Sequence, residues 1–388
     1  MGEMRRPFVP AMCAARSRPP FAIAQGPFPF VPTEYRPMTS SRTLHGFIRM
    51  VLLLLVVSCA AAAASSPGGH AGYEYYRIGD LEAATPGATE PALLLMGGGE
   101  WPREAFAWFA ARGGHGHFVI LRASGDDDLQ KELFSEVGGV ASVQTLVFHD
   151  RAASSDPRVL DIVRHADGIF IAGGDQANYV RFWKGTPLNA LLNEHVAQGR
   201  PIGGTSAGLA ILGAYAYGAL DGGSITSQEA MRDPLGKGVT LVGDFMHLPH
   251  MQRVITDTHF HVRDRLGRLI SFLANLRHAG HGDVIGLGVD QGAALCVDGD
   301  GIGRLFAIDH GFAWLVQPQG VPQRIEAGQP LDYLGTRITG VDTRGRIDLK
   351  NFKVSRPAFE AIADVRHGEL ALRGESAPKS AGSSHGRH

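Results

Sequence analysis

The chain has 388 residues, 44% hydrophobic and 19% charged, enough for one large folded core. A formal net charge of −1 supplies no global field for holding nucleic acid or an anionic membrane surface. Three cysteines, Cys13, Cys59 and Cys296, exclude a disulfide framework, because maturation would leave Cys296 alone in an apolar run.

Residues 1–37, rich in Pro and Arg, read as an upstream extension from a misread start codon. Residues 38–64 read as an export signal: Arg42 and Arg49 form the basic region, Val51–Val57 the apolar region, and an Ala run follows. That apolar stretch is too short to span a bilayer stably. Val56-Val57-Ser58-Cys59 resembles a bacterial lipobox, in which Cys59 would be lipidated and anchor the chain to a membrane. Cleavage within Ala60–Ala64 would instead release a secreted or periplasmic protein.

Short apolar runs then alternate with helical stretches. Segments 92–96, 117–123, 143–149 and 168–172 read as buried strands, and 201–203 as a short fifth. Helices are predicted from near Pro102, over 129–137, after the Asp156-Pro157 start, and from the Thr186 cap to the Gly199 stop. This rhythm predicts an α/β fold with a doubly wound, mostly parallel sheet, helices on both faces and antiparallel strands at its edge. The segment 257–276 reads as a loop entering an amphipathic helix, and 284–297 as antiparallel strands near the sheet edge. One domain is expected over 72–357, with a disordered Ser/Gly/His-rich tail at 375–388.

Glycine-rich loops follow three of the strands: 96–100, 172–176 and 203–208. Parallel sheets place ligands at the carboxyl ends of their strands, so a site belongs there. In the third loop Ser206 is either a nucleophile on a tight strand-to-helix turn or a helix cap, and such turns also bind phosphate. A nucleophile there would use the amides of Ala207 and Gly174 (or Gly173) for its oxyanion. Downstream, 257–268 holds a candidate base and three arginines, Arg263, Arg265 and Arg268. These form either a carboxylate receptor or a solvated basic face. His247, His250, His259 and His261 lack the spacing of a metal site, and neither a metal nor another cofactor is expected.

Four motifs in order, GGDQANYVRFWKGTPL, GGTSAGLAILG, SQEAMRDP and DTHFHVRDRLGRL, resemble the cyanophycinases, whose serine-peptidase family includes alpha-aspartyl dipeptidase. The resemblance runs from about Ala92 to Val316. It implies a class I glutamine-amidotransferase-like fold, an often dimeric protein, and a substrate that is cyanophycin or an aspartyl peptide. Cyanophycin is poly-aspartate with arginine on each β-carboxyl, cut by the family into β-aspartyl-arginine. By that resemblance Ser206 is the nucleophile and His259 the base. Gln176, Asp257, Thr258, Arg263, Arg265 and Arg268 fall at substrate-pocket positions.

Two positions depart from the family pattern. Thr258 stands where Gln is common, and Gln291 stands where the triad glutamate is expected. Gln can orient an imidazole through its carbonyl but cannot supply the charge that stabilises imidazolium. Three outcomes are open: a working Ser-His-Gln set, rescue by Asp290 or another carboxylate, or a degenerate site that only binds.

Overall fold

The computed structural model describes residues 72–374. The 1–37 extension, the 38–64 signal with Cys59, and the 375–388 tail lie outside the described residues.

The first half alternates strand and helix: β1 (Tyr73–Gly79), β2 (Ala92–Met96), α1 (Arg103–Arg112), β3 (His117–Arg122), α2 (Asp128–Lys131), β4 (Ser142–Phe148), α3 (Pro157–Arg164), β5 (Gly168–Ile171), α4 (Gln176–Trp183), α5 (Pro187–Ala197), β6 (Ile202–Thr205) and α6 (Ala207–Ala210). The local signals act as their chemistry requires. Asp156 accepts from the amides of Arg158 and Val159 at the start of α3, and Thr186 from that of Asn189 at the start of α5. The stretch expected as one helix over 129–137 is instead α2 followed by a π-helical turn over Glu132–Val137.

β4, β3, β5, β6 and β2 lie side by side and parallel. Successive side chains on a strand point to opposite faces, and both faces here are covered. Leu93, Leu95, Val119, Leu121, Ile169 and Ile171 pack with Val159 and Val163 of α3 and Leu188 and Leu192 of α5. Leu94, Met96, Phe118, Ile120 and Phe170 pack with Phe106 and Phe109 of α1. Each such aromatic contributes about 1.5–3 kcal/mol by leaving water, which fixes the strand ends that carry the site.

The second half is β7 (Tyr215–Tyr217), α7 (Ser227–Arg232), β8 (Leu241–Gly243), β9 (Val254–Asp257), α8 (Leu266–His278), β10 (Ile285–Val289), β11 (Ala293–Asp298), β12 (Ile302–Ala307), β13 (Ala313–Gln317), β14 (Tyr333–Val341), β15 (Arg346–Asp348), β16 (Lys353–Ser355), β17 (Phe359–Arg366) and β18 (Glu369–Arg373). Here the structure corrects the sequence reading. The run 284–297 is divided between two sheets: β10 joins β9 and β13 in an eight-stranded sheet, while β11 crosses to pair with β2 in the ten-stranded one. A buried apolar run records that it is a strand, but not which neighbour it pairs with. The strands also continue to Arg373, beyond the expected 357 boundary, because β17 pairs with β14 and β18 with β17. One apolar cluster contains residues of both sheets, among them Leu95, Leu287, Val289 and Ala293.

Candidate active site

Five strand ends meet here: β2, β5 and β6 of the first sheet, and β9 and β10 of the second. Ser206 follows β6 directly and precedes the four-residue α6. Its backbone sits at φ 51° and ψ −117°, a conformation that costs a non-glycine residue roughly 1–3 kcal/mol. Gly204 and Gly208 make the turn possible. A Cβ on Gly204 would lie 2.7 Å from the Gly208 carbonyl carbon, and one on Gly208 would overlap the Ile171 carbonyl. Residues 204–208 thus have the full Gly-x-Ser-x-Gly spacing of a strand-to-helix nucleophile turn.

The helix-cap reading of Ser206 fails, since its side chain makes no cap hydrogen bond. Its Oγ instead lies 2.8 Å from His259 Nε2. His259 Nδ1 lies 2.7 Å from Gln291 Oε1. The amide carbonyl can only accept, so Nδ1 carries the proton and Nε2 is free to accept from the Ser206 hydroxyl. Burial holds the His259 pKa below the ordinary histidine value, and the Gln291 bond partly opposes this. The imidazole therefore remains an unprotonated base into mildly acidic solution.

The glycines of the 96–100 loop form the support under this pair. His259 N donates to Gly97 O at 2.7 Å, and Gly292 N to Gly98 O at 2.7 Å. A Cβ on Gly98 would overlap the His259 ring, and one on Gly99 would lie 2.5 Å from Gln291 Cγ. Sequence reading placed a loop here but assigned its glycines no role; their signal was only their position at a strand end. Asp290 is turned away from His259. Its carboxylate accepts from His261 N at 3.0 Å, Phe312 N at 2.9 Å and Trp314 Nε1 at 2.9 Å. Rescue of the base by Asp290 therefore has no support in this geometry.

A cavity of about 370 Å³ opens at Ser206. Ala207, Gly174, Gln176, Thr258, Arg263 and Arg265 are all in its wall. Gly174 has φ 142°, which glycine alone adopts readily. Arg181 also lines the cavity; it stands inside the first motif quoted above but was not singled out. Asp175, another lining residue, caps α4 by accepting from Ala177 N at 2.9 Å.

Arg268 and Asp257 are expected pocket residues that the structure places elsewhere, behind the cavity wall. Both side chains are 3% exposed and joined to each other, Nε to Oδ2 at 2.8 Å and Nη2 to Oδ1 at 2.5 Å. Arg268 Nη1 donates to Ser224 Oγ at 2.7 Å and to Ile225 O at 3.1 Å, so the pair ties β9 to the cavity rim. The physical reason is burial: an unpaired charge there would be prohibitive, so the two satisfy each other. Arg265 has both roles. Nη1 donates to Thr258 O and Oγ1, each at 2.8 Å, while its head borders the cavity. Burial pushes its pKa down to about 10, which leaves it charged near neutrality. The third motif is a clasp: Arg268 N donates to Ser227 Oγ at 3.0 Å, and Ser227 Oγ to Asp264 O.

Comparisons with known proteins agree with the motifs. Residues 128–305 match the model of peptidase family S51. Cyanophycinase of Synechococcus elongatus is 31% identical over 228 residues, which cover 57% of this chain and 65% of that protein. The alignment thus spans just under two thirds of that relative. Cyanophycinase of Trichormus variabilis is 29% identical over 273 residues, covering 66% and 85%. A crystal structure of a peptidase from an acI-B1 Actinobacterium superposes with TM-score 0.43 at 17% identity, over 62% of this chain and 96% of that one. The chain is cyanophycinase-like, with a stretch similar to peptidase family S51, as its four motifs indicated.

Proposed function

We propose that the chain is an exported serine-type hydrolase that cleaves cyanophycin to β-aspartyl-arginine through an acyl-enzyme. The observation that carries this is the 2.8 Å approach of Ser206 Oγ to His259 Nε2 at the mouth of a cavity bordered by Arg181, Arg263 and Arg265. Ser206 Oγ attacks the scissile carbonyl carbon and His259 takes the hydroxyl proton. The oxyanion is received by the amides of Ala207 and Gly174. Collapse breaks the C–N bond, with His259 returning its proton to the leaving amine. Water, deprotonated by the same imidazole, then frees the acyl group and restores Ser206. The arginines suit the carboxylates of an aspartyl unit, since a guanidinium fork matches a carboxylate bidentately. The resemblance to cyanophycinases favours the polymer over aspartyl or isoaspartyl dipeptides, and side-by-side turnover separates the two. The fold part of this reading is a doubly wound, glutamine-amidotransferase-like core, favoured by the parallel order β4-β3-β5-β6-β2.

The purified protein should release β-aspartyl-arginine from cyanophycin between pH 6 and 9, and Ser206→Ala should stop it. No release anywhere in that range would overturn the reading. Gln291 favours a second reading, a surface protein that binds the polymer without turnover. It expects binding that Ser206→Ala leaves unaltered. Export rests on the 38–64 signal, and the intact mass of protein made with that signal separates lipidated Cys59 from free secretion.

A further inference from the structure

Gln291 uses only half of its amide on His259. Its Oε1 lies 2.7 Å from Nδ1, while its Nε2 has no acceptor among the described residues. Gln291 also borders a second cavity, of about 340 Å³, whose wall holds three carboxylates. Asp290 is saturated by its three donors. Glu100 and Asp309 are exposed, and neither side chain has a hydrogen bond or ion pair among the described residues. The backbone favours Glu100. β2 and β11 pair antiparallel with Met96 opposite Ala294. The pairing continues past β2, with Gly97 N donating to Ala293 O at 3.0 Å and Gly292 N to Gly98 O at 2.7 Å. Gly99 thus comes beside Gln291: a Cβ there would lie 2.5 Å from Gln291 Cγ and 3.4 Å from its Nε2. Glu100 is the next residue, and the bare Gly99 leaves its side chain room to reach that amide. Asp309 follows Ile308, whose N donates to Gly292 O at 3.0 Å, so that turn is held at the Gly292 backbone, and the Asp309 side chain is one methylene shorter.

We propose that Glu100 is a positioning residue for the base: its carboxylate accepts from Gln291 Nε2, holds the amide with Oε1 toward His259 Nδ1, and supplies through it the negative charge that Gln291 lacks. Hydrogen bonds in a chain polarise one another, so an Nε2 given to a carboxylate makes Oε1 the stronger acceptor for Nδ1–H. The same bond opposes the flipped amide, which would present NH2 to Nδ1 and hold the wrong tautomer. The other titratable groups around Glu100 are Asp309, His261 and His310 across the cavity, and Glu132. Burial raises the Glu132 pKa, as do Glu136, Asp128 and Glu100, with Arg103 opposing; Arg103 is itself paired with Glu136 at 2.8 Å. Around His259, besides burial and the Gln291 bond, Arg263 and Arg265 disfavour protonation and Asp257 favours it. The role of Glu100 in turnover rests on the hydrolase reading above.

The first measurement needs no turnover: His259 is titrated by NMR in full-length Ser206→Ala protein carrying labelled histidine. Glu100→Gln keeps an acceptor for Nε2 and removes the charge, so the His259 pKa should fall by about 0.5 pH unit, the effect of one charge about 8 Å away near a protein surface. Asp309→Asn should move it by less than half as much. In the active protein, the acid limb of kcat/KM should move down with Glu100→Gln. Glu100→Ala, which also frees the amide to flip, should lower kcat about tenfold at unchanged KM, with Glu100→Asp restoring part of it. In the Gln291→Glu background residue 291 carries its own charge and donates nothing, so adding Glu100→Ala should no longer lower kcat. A His259 pKa that ignores Glu100→Gln, or that follows Asp309→Asn equally, overturns the proposal, as does an equal loss of kcat from Glu100→Ala in both backgrounds. Failure to hydrolyse any aspartyl peptide would remove the reaction, while the titration would still decide whether Glu100 acts on the imidazole.

Discussion

Gln291→Glu is the most informative perturbation of this site. Gln291 Oε1 already sits 2.7 Å from His259 Nδ1, so a glutamate oxygen can take its place with little movement. The change therefore adds charge at nearly constant geometry. Two unit charges about 4 Å apart interact by about 4 kcal/mol at an effective dielectric near 20, and by about 1 kcal/mol in bulk water. His259 is buried and Gln291 is exposed, so the gain lies between these limits, on the order of 2 kcal/mol. That energy raises the imidazole pKa by about 1.5 pH units. If all of it stabilises the imidazolium formed in the transition state, kcat rises about 30-fold. In chymotrypsin-type triads the acid-to-amide change costs about 10⁴-fold, partly through the wrong tautomer. Gln291 holds the right tautomer, so a smaller gain is expected on reversal. The assay is the pH dependence of kcat/KM for dipeptide release in both proteins. The acid limb should begin below the ordinary histidine range in the parent and move upward in the variant. A fall in kcat with an unmoved acid limb would refute the electrostatic reasoning.

Other outcomes follow from the same contacts. Gly98→Ala drives a methyl group into the His259 ring, so activity should fall at least about 100-fold, read as kcat on the folded variant. Arg268→Ala takes from the buried Asp257 carboxylate its bidentate partner, leaving Arg265 Nη1 at 3.5 Å and the Thr258 amide, and should cost about 1.5–3 kcal/mol in urea denaturation. Arg263→Ala, at an exposed cavity position, should change KM with stability within about 0.5 kcal/mol. His195 is buried and its pKa is pushed down to about 4, while its unfolded value is ordinary. The unfolded chain then binds the extra proton between roughly pH 6.5 and 4, so stability falls as pH drops through that window. The loss should be on the order of 3 kcal/mol by pH 4, and His195→Leu should flatten the slope in denaturation midpoints.

The parallel half of the fold was legible because its strands are continuous apolar runs and its helices carry side-chain caps at Asp156 and Thr186. The second sheet was not, because β10 and β11 stand in one apolar run, which does not record that β10 pairs with β13 and β11 with β2 in another sheet. Ser206 and His259 could be named from motifs, and Gln291 as a departure from one. What the sequence could not convey was direction. Arg268 and Arg263 are equivalent as residue types in a basic cluster, yet one is buried against Asp257 and the other faces the cavity. Asp290 and Gln291 are adjacent in sequence, and the backbone turn sends only Gln291 to the imidazole. The role of Gly98 lies in what it leaves room for, which no local pattern states.

The central claim is that His259, held by Gln291, makes Ser206 a nucleophile. A fluorophosphonate probe reports this directly, since an activated serine oxygen displaces fluoride and keeps the phosphonyl group. Peptide mass mapping should find one adduct, on the peptide carrying Ser206, lost in His259→Ala. No adduct on that peptide, or an adduct formed equally well without His259, would contradict the account.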